Sequence, residues 1–81
     1  MKKIMPVFGQ RLKELRIEKN LKQKDMAIFL GRTDRNYQKM AYGEINVPGL
    51  TLIKLADFFE VSIDYLVGRS EERGTFHGKQ P

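Results

Sequence analysis

The chain contains no cysteine, which excludes disulfides and thiolate metal sites as sources of order. Its single histidine, His77, has no thiol to join it in a ligand set, so no metal site is expected. The carboxylates Asp57, Glu60 and Asp64 fit a solvated helix face better than an acid–base pair. Neither catalysis, nor a cofactor, nor a small-molecule ligand is expected. Long apolar runs are missing too. The opening Met1-Lys2-Lys3-Ile4-Met5-Pro6 gives way within a few positions to Gln10, Arg11 and Lys13, so neither a signal-peptide core nor a membrane span develops. A soluble cytoplasmic protein without a membrane partner is the expectation. No stretch alternates in the manner of a strand, and no internal repeat is evident.

What is present fits one small domain. With 81 residues, 41% of them hydrophobic, there is room for one core and no second, and so small a core leaves marginal stability that makes a homodimer plausible. The net charge of +5 points toward a polyanionic partner. Its distribution is uneven: residues 1 to 40 carry 11 Lys and Arg against 4 Asp and Glu, whereas residues 41 to 81 carry 4 against 6. A solvated charged face accounts for part of that asymmetry.

Apolar spacing divides the chain into five helices. Val7, Phe8, Leu12 and Leu15 predict a first helix over about Val7 to Lys19, closed near Asn20, which tolerates left-handed backbone. Met26, Ala27 and Leu30 predict a second, over about Gln23 to Leu30, stopped by Gly31. Thr33 then suits an N-cap and Gly43 a stop, and two short helices meeting across Gly31-Arg32-Thr33 have the form of a helix-turn-helix unit. Glu44 to Gly49 is expected as a loop. A fourth helix is predicted from Thr51 through Leu52, Leu55, Ala56 and Phe59, and a short fifth carries Ile63, Leu66 and Val67 between the Ser62 cap and Gly68. Residues 1–6 are expected as an N-terminal arm and residues 69–81 as a flexible tail.

The stretch from Thr33 to Tyr42 is the candidate site. Tyr37, Met40 and Ala41 share one helical face, while Asp34, Arg35, Asn36, Gln38 and Lys39 point elsewhere. Those exposed types can contact base edges or phosphates, and they equally suit an ordinary solvated face.

Further residues carry a family resemblance. They are Arg11-Leu12-Lys13-Glu14-Leu15-Arg16, then Leu21-Lys22-Gln23 with Ala27, Leu30 and Gly31, then Tyr42-Gly43, and above all the run from Leu52 to Gly68. Together they make residues 7–68 resemble the Cro/CI-type (XRE-like) helix-turn-helix domain of phage and bacterial repressors. The resemblance implies an all-α, five-helix, lambda-repressor-like fold and a homodimeric regulator, in all expectation a repressor, that binds a roughly palindromic double-stranded DNA operator. It also implies that Gln23 contacts a phosphate and braces the third helix, that Asp34, Arg35 and Lys39 face base edges, and that Lys22 and Asn36 face the DNA backbone. Thr33 and Gln38 complete the expected DNA-binding set. The chemistry of Arg35 suits guanine O6 and N7, and that of Lys39 suits guanine or phosphate. At Asp34 two roles stay open, acceptance from cytosine N4 and helix capping.

The chain also departs from the family. Where family members often carry a Glu that pairs with an Arg matching Arg16, this sequence has Ala41. Arg16 is therefore expected to be partly solvated, to reach a helix-end carbonyl, or to find Glu44. Tyr37 and Tyr42 are candidates to fill the space, with Tyr37 assigned to the core. Because a fold does not fix a function, a protein-interaction module, an antitoxin or an adaptor of another regulator, is the alternative.

Overall fold

A computed structural model describes residues 5–74, and its elements among those residues are five helices with no strand. They are α1 (Pro6–Glu18), α2 (Gln23–Leu30), α3 (Asp34–Ala41), α4 (Gly49–Phe59) and α5 (Ile63–Val67). The all-helical expectation holds, and its helix boundaries shift by two residues at most. Pro6 opens α1 one position early because the first turn has no use for the N–H that proline lacks. The start of α4 moves from Thr51 to Gly49: the Pro48 carbonyl accepts from the N–H groups of Thr51 and Leu52, so the first turn forms one step after the proline. Leu50 in that turn is 81% exposed, which is why apolar periodicity misses it.

Contacts divide the chain into two compact units, one running to Asn46 and one starting at Val47. In the first, Phe8, Leu12 and Leu15 of α1, Met26 and Ala27 of α2, and Tyr37 and Met40 of α3 are buried. These positions recur at three- and four-residue spacing on their helices, so each helix turns one stripe inward. Fully burying a side chain of this size stabilises by roughly 1.5–3 kcal/mol, which makes this cluster the main support of α3. Asn20, just past α1, takes the left-handed conformation foreseen for it, with φ 56°.

Helix α3 packs on both α1 and α2. Its end comes close to α1 at Gly9, where a Cβ would lie 2.5 Å from the Ala41 carbonyl oxygen and 2.9 Å from the Gly43 nitrogen. Both obstacles are main chain, which cannot swing aside as a side-chain end can. Gly43 itself has φ 75°, and its carbonyl accepts from the Met5 N–H at 2.9 Å, tying the entry of α1 to the exit of α3.

Tyr37 is fully buried, and its hydroxyl has no hydrogen-bond partner among the described residues. Burial pushes its phenol above the usual range, and the Arg16 guanidinium offsets part of that by favouring the phenolate.

In the second unit Leu55, Ala56 and Phe59 of α4 are buried, as are Val61 and the α5 residues Tyr65 and Leu66. Helix α4 ends on Glu60 at φ 58°, a left-handed conformation without glycine or asparagine, so the sequence carries no stop signal there. The Ser62 hydroxyl accepts from the Tyr65 N–H at 3.0 Å and caps α5 as expected. Two contacts link Arg73, in the stretch expected as the start of a tail, to the second unit. The Ser62 N–H donates to the Arg73 carbonyl at 2.6 Å, and the Arg73 guanidinium lies 5.6 Å from the centre of the Tyr65 ring. Most of the expected N-terminal arm, and the tail from residue 75 with His77 in it, lie outside the described residues.

Two outcomes follow. Gly9→Ala should lower stability by about 1–3 kcal/mol through overpacking, measured as a drop in thermal midpoint, and an unchanged midpoint would contradict the close approach. Tyr37→Phe should leave stability at pH 7 unchanged or raise it by about 1 kcal/mol, because it removes a buried hydroxyl that gains no bond. The folded chain holds the Tyr37 proton more tightly than the unfolded one, so wild-type stability contributed by this group is complete below pH ~10 and is lost as pH rises further. Thermal unfolding from pH 9 to 12 should therefore fall less steeply in Tyr37→Phe.

Candidate nucleic-acid interface

Three residues, Gly31-Arg32-Thr33, join α2 to α3. Gly31 takes a left-handed φ of 67°, and the Arg32 N–H donates to the Ala27 carbonyl at 2.9 Å, closing the last turn of α2. The next residue already opens α3: the Thr33 hydroxyl oxygen accepts from the Asn36 N–H at 3.0 Å. With a bond closing each end inside three residues, α3 follows α2 directly and packs against it.

The burial of Tyr37 and Met40 fixes which side of α3 faces out. Asp34, Arg35, Gln38 and Lys39 are exposed, and Asn36 and Ala41 are half-buried. Arg35 and Lys39 are four residues apart, hence neighbours on one stripe, with Gln38 beside them. Asp34 in the first turn and Lys39 in the last match the sign of the helix dipole at each end. Lys22 is exposed just before α2, and its backbone N–H donates to the Asp25 carboxylate at 2.8 Å. Gln23, half-buried, opens α2.

Every expected DNA-binding residue thus falls on α2, on α3 or at the start of one of them, and two are already engaged. Thr33 spends its acceptor on the cap. Asn36 accepts with its side-chain oxygen from Arg32 Nη1 at 2.5 Å.

Arg16 is half-buried and donates through Nη1 to the Leu21 carbonyl at 2.7 Å. The expectation of partial solvation is met, and the acceptor belongs to the loop before α2 rather than to a helix end or to Glu44. Tyr42, expected with Tyr37 to fill the space of the missing Glu, is instead 51% exposed. The guanidinium needs no filler because the loop carbonyl replaces the carboxylate.

Residues 12–66 match the family model described as helix-turn-helix, which is more than half of the chain. The chain belongs to this helix-turn-helix family. It is similar to the SPbeta prophage-derived uncharacterized HTH-type transcriptional regulator YonR of Bacillus subtilis (strain 168), 41% identical over 61 residues that make up 75% of this chain and 56% of that protein. It is also similar to the uncharacterized HTH-type transcriptional regulator YqaE of the same strain, 37% identical over 68 residues, 83% of this chain and 59% of the relative. The chain thus spans a little over half the length of these curated relatives. No solved structure matches it.

The match spans both helices of the helix-turn-helix unit and meets the Cro/CI-like expectation. Among the described residues no group of His, Cys, Asp and Glu could hold a metal ion, and no helix is long and apolar enough to cross a membrane. Two residues of the first compact unit escape sequence reasoning. Gly9 looks like a weak point inside α1 until Ala41 and Gly43 are placed against it. Arg32 looks like a turn residue, and only its four-residue spacing to Asn36 hints that the two can meet.

The cap gives a direct check. Thr33→Ala should cost about 1 kcal/mol of stability, while Thr33→Ser should stay within a few tenths, because only the latter keeps an oxygen for the Asn36 N–H. Equal losses in chemical denaturation would show that the hydroxyl does not cap α3.

Proposed function

We propose that the chain is a sequence-specific double-stranded DNA-binding transcriptional regulator, acting as a repressor, that enters the major groove with α3. The observation that carries this is the N-capped α3, anchored by Tyr37 and Met40, with Arg35, Gln38 and Lys39 exposed along one side. An anchored helix holds its donors in fixed register, as base-edge recognition requires. Arg35 then pairs with guanine, Lys39 takes guanine or phosphate, Gln38 and Thr33 support them, and Asp34 faces a base edge or remains a helix-end acid. Lys22 and Asn36 grip the backbone, and Gln23 meets a phosphate from the first turn of α2, where the helix N-terminus favours an anion. Both curated relatives bear the name HTH-type transcriptional regulator, which supports the regulatory part of the proposal.

The proposed species is a homodimer. Ile53 and Phe58 of α4 and Ile63 of α5 are between 37% and 46% exposed, and Val67 is half-buried. Such side chains on the second unit offer apolar surface for a second copy. Two recognition helices would then contact half-sites about 34 Å apart, one DNA turn, on a roughly palindromic operator. A protein-interaction module on the same fold is the alternative, and a chain of that kind would bind no duplex.

Titration of random and selected duplexes with salt tests the proposal. Affinity should fall with a log–log slope of about −0.9 per phosphate neutralised, and absence of duplex binding at low salt would refute it. Arg35→Ala should relax sequence preference at one base pair per half-site by about 1–3 kcal/mol, whereas Lys22→Ala should weaken all duplexes alike. Equal losses across sequences for both would refute the assigned roles.

A further inference from the structure

We infer that Arg32, in the turn between the two helices, is a positioning residue that orients the Asn36 amide so that its Nδ2–H donates to a DNA phosphate. The inference rests on the proposed use of α3 on DNA. A guanidinium has donors and no acceptor, so the amide atom of Asn36 that faces Arg32 Nη1 at 2.5 Å must be the oxygen. The backbone N–H of Asn36 is held by Thr33, which leaves the Nδ2 protons as its remaining donors.

That restriction decides what Asn36 can contact. An asparagine distinguishes adenine by accepting from N6 and donating to N7 at once, which needs oxygen and nitrogen to face the base together. With one lone pair of its oxygen held by Arg32, the Asn36 amide is oriented with Nδ2–H as its remaining donor, and a phosphate oxygen is an acceptor that asks for nothing in return. The guanidinium also polarises the amide it touches and strengthens Nδ2–H as a donor. The strut is itself fixed at both ends: the Arg32 backbone is held by Ala27 at the close of α2, and Asn36 lies in the first turn of α3. Arg32 therefore couples the end of one helix to a contact made by the next.

Affinities for the duplex selected by the wild-type chain, measured by fluorescence anisotropy over a salt series, test this with Arg32→Met, Arg32→Lys, Asn36→Ala and the Arg32→Met/Asn36→Ala pair. Arg32→Met should weaken binding roughly fivefold in the wild-type background, about the loss of one hydrogen bond, and less than about twofold once Asn36 is alanine. Its salt slope should match that of wild type. Arg32→Lys, which keeps a cationic donor, should recover most of the affinity. Asn36→Ala should weaken all duplexes alike. An equal loss in both backgrounds, or a slope shallower by about 0.9, would show that Arg32 meets a phosphate itself and would overturn the inference. A relaxed adenine preference in Asn36→Ala would overturn the assignment of Asn36 to a phosphate. If wild type binds no duplex at low salt, the proposed function falls and the inference with it, whereas wild-type binding with uncoupled variants sinks the inference alone.

Discussion

The turn between α2 and α3 must end one helix, redirect the chain and begin another helix within three residues. Each residue meets one of those needs with a different part of itself. Gly31 supplies the left-handed backbone that ends α2, the Arg32 N–H reaches back to Ala27, and the Thr33 side chain reaches forward to Asn36. An extra residue would leave a helix-end group exposed to competition from water and would let α3 swing. The exposed side of α3 has a definite direction because this turn is short and a hydrogen bond closes it at each helix.

Direction alone does not hold α3 in place, and α1 supplies the rest. Gly9 lets the main chain of Ala41 and Gly43 come close, while Phe8, Leu12 and Leu15 on the same helix are buried. Tyr37 is held by burial alone, since its hydroxyl finds no partner among the described residues. The same phenol lies within the field of Arg16, whose own bond runs to Leu21 just ahead of α2. The missing family carboxylate is thus replaced by a main-chain oxygen, and the exchange removes a charge from the environment of α3 without leaving the guanidinium unsatisfied.

Much of this was legible in the sequence because it depends on local chemistry. Gly31, Thr33 and Ser62 announce helix ends through backbone freedom and hydroxyl oxygens, and the spacing of Phe8, Leu12 and Leu15 announces a buried stripe. What was not legible depends on distant partners or on an absent signal. Gly9 acquires its meaning only from residues more than 30 positions away. Glu60 ends α4 without the residue type that normally marks such an end, and the fold-back of Arg73 onto Tyr65 leaves no periodicity to detect. The engagement of Asn36 by Arg32 lies between these cases, since the spacing is visible but the choice among possible partners is not.

The order of charge along α3 carries a compromise between the helix and its proposed ligand. An acid in the first turn and a base in the last stabilise the helix by about 0.3–1 kcal/mol each. With α3 in the groove as proposed, the same Asp34 opposes the approach of phosphates to that end of the helix and weakens binding to every duplex on which its carboxylate meets no donor. A cytosine amino group at that position would remove the penalty, and non-specific DNA would retain it. If α3 enters the groove as proposed, discrimination there comes from what the wrong sequence fails to neutralise, while Arg35 and Lys39 supply attraction. An anchored helix is what makes such discrimination possible, because on a mobile one Asp34 would turn away from the phosphates and the penalty would vanish.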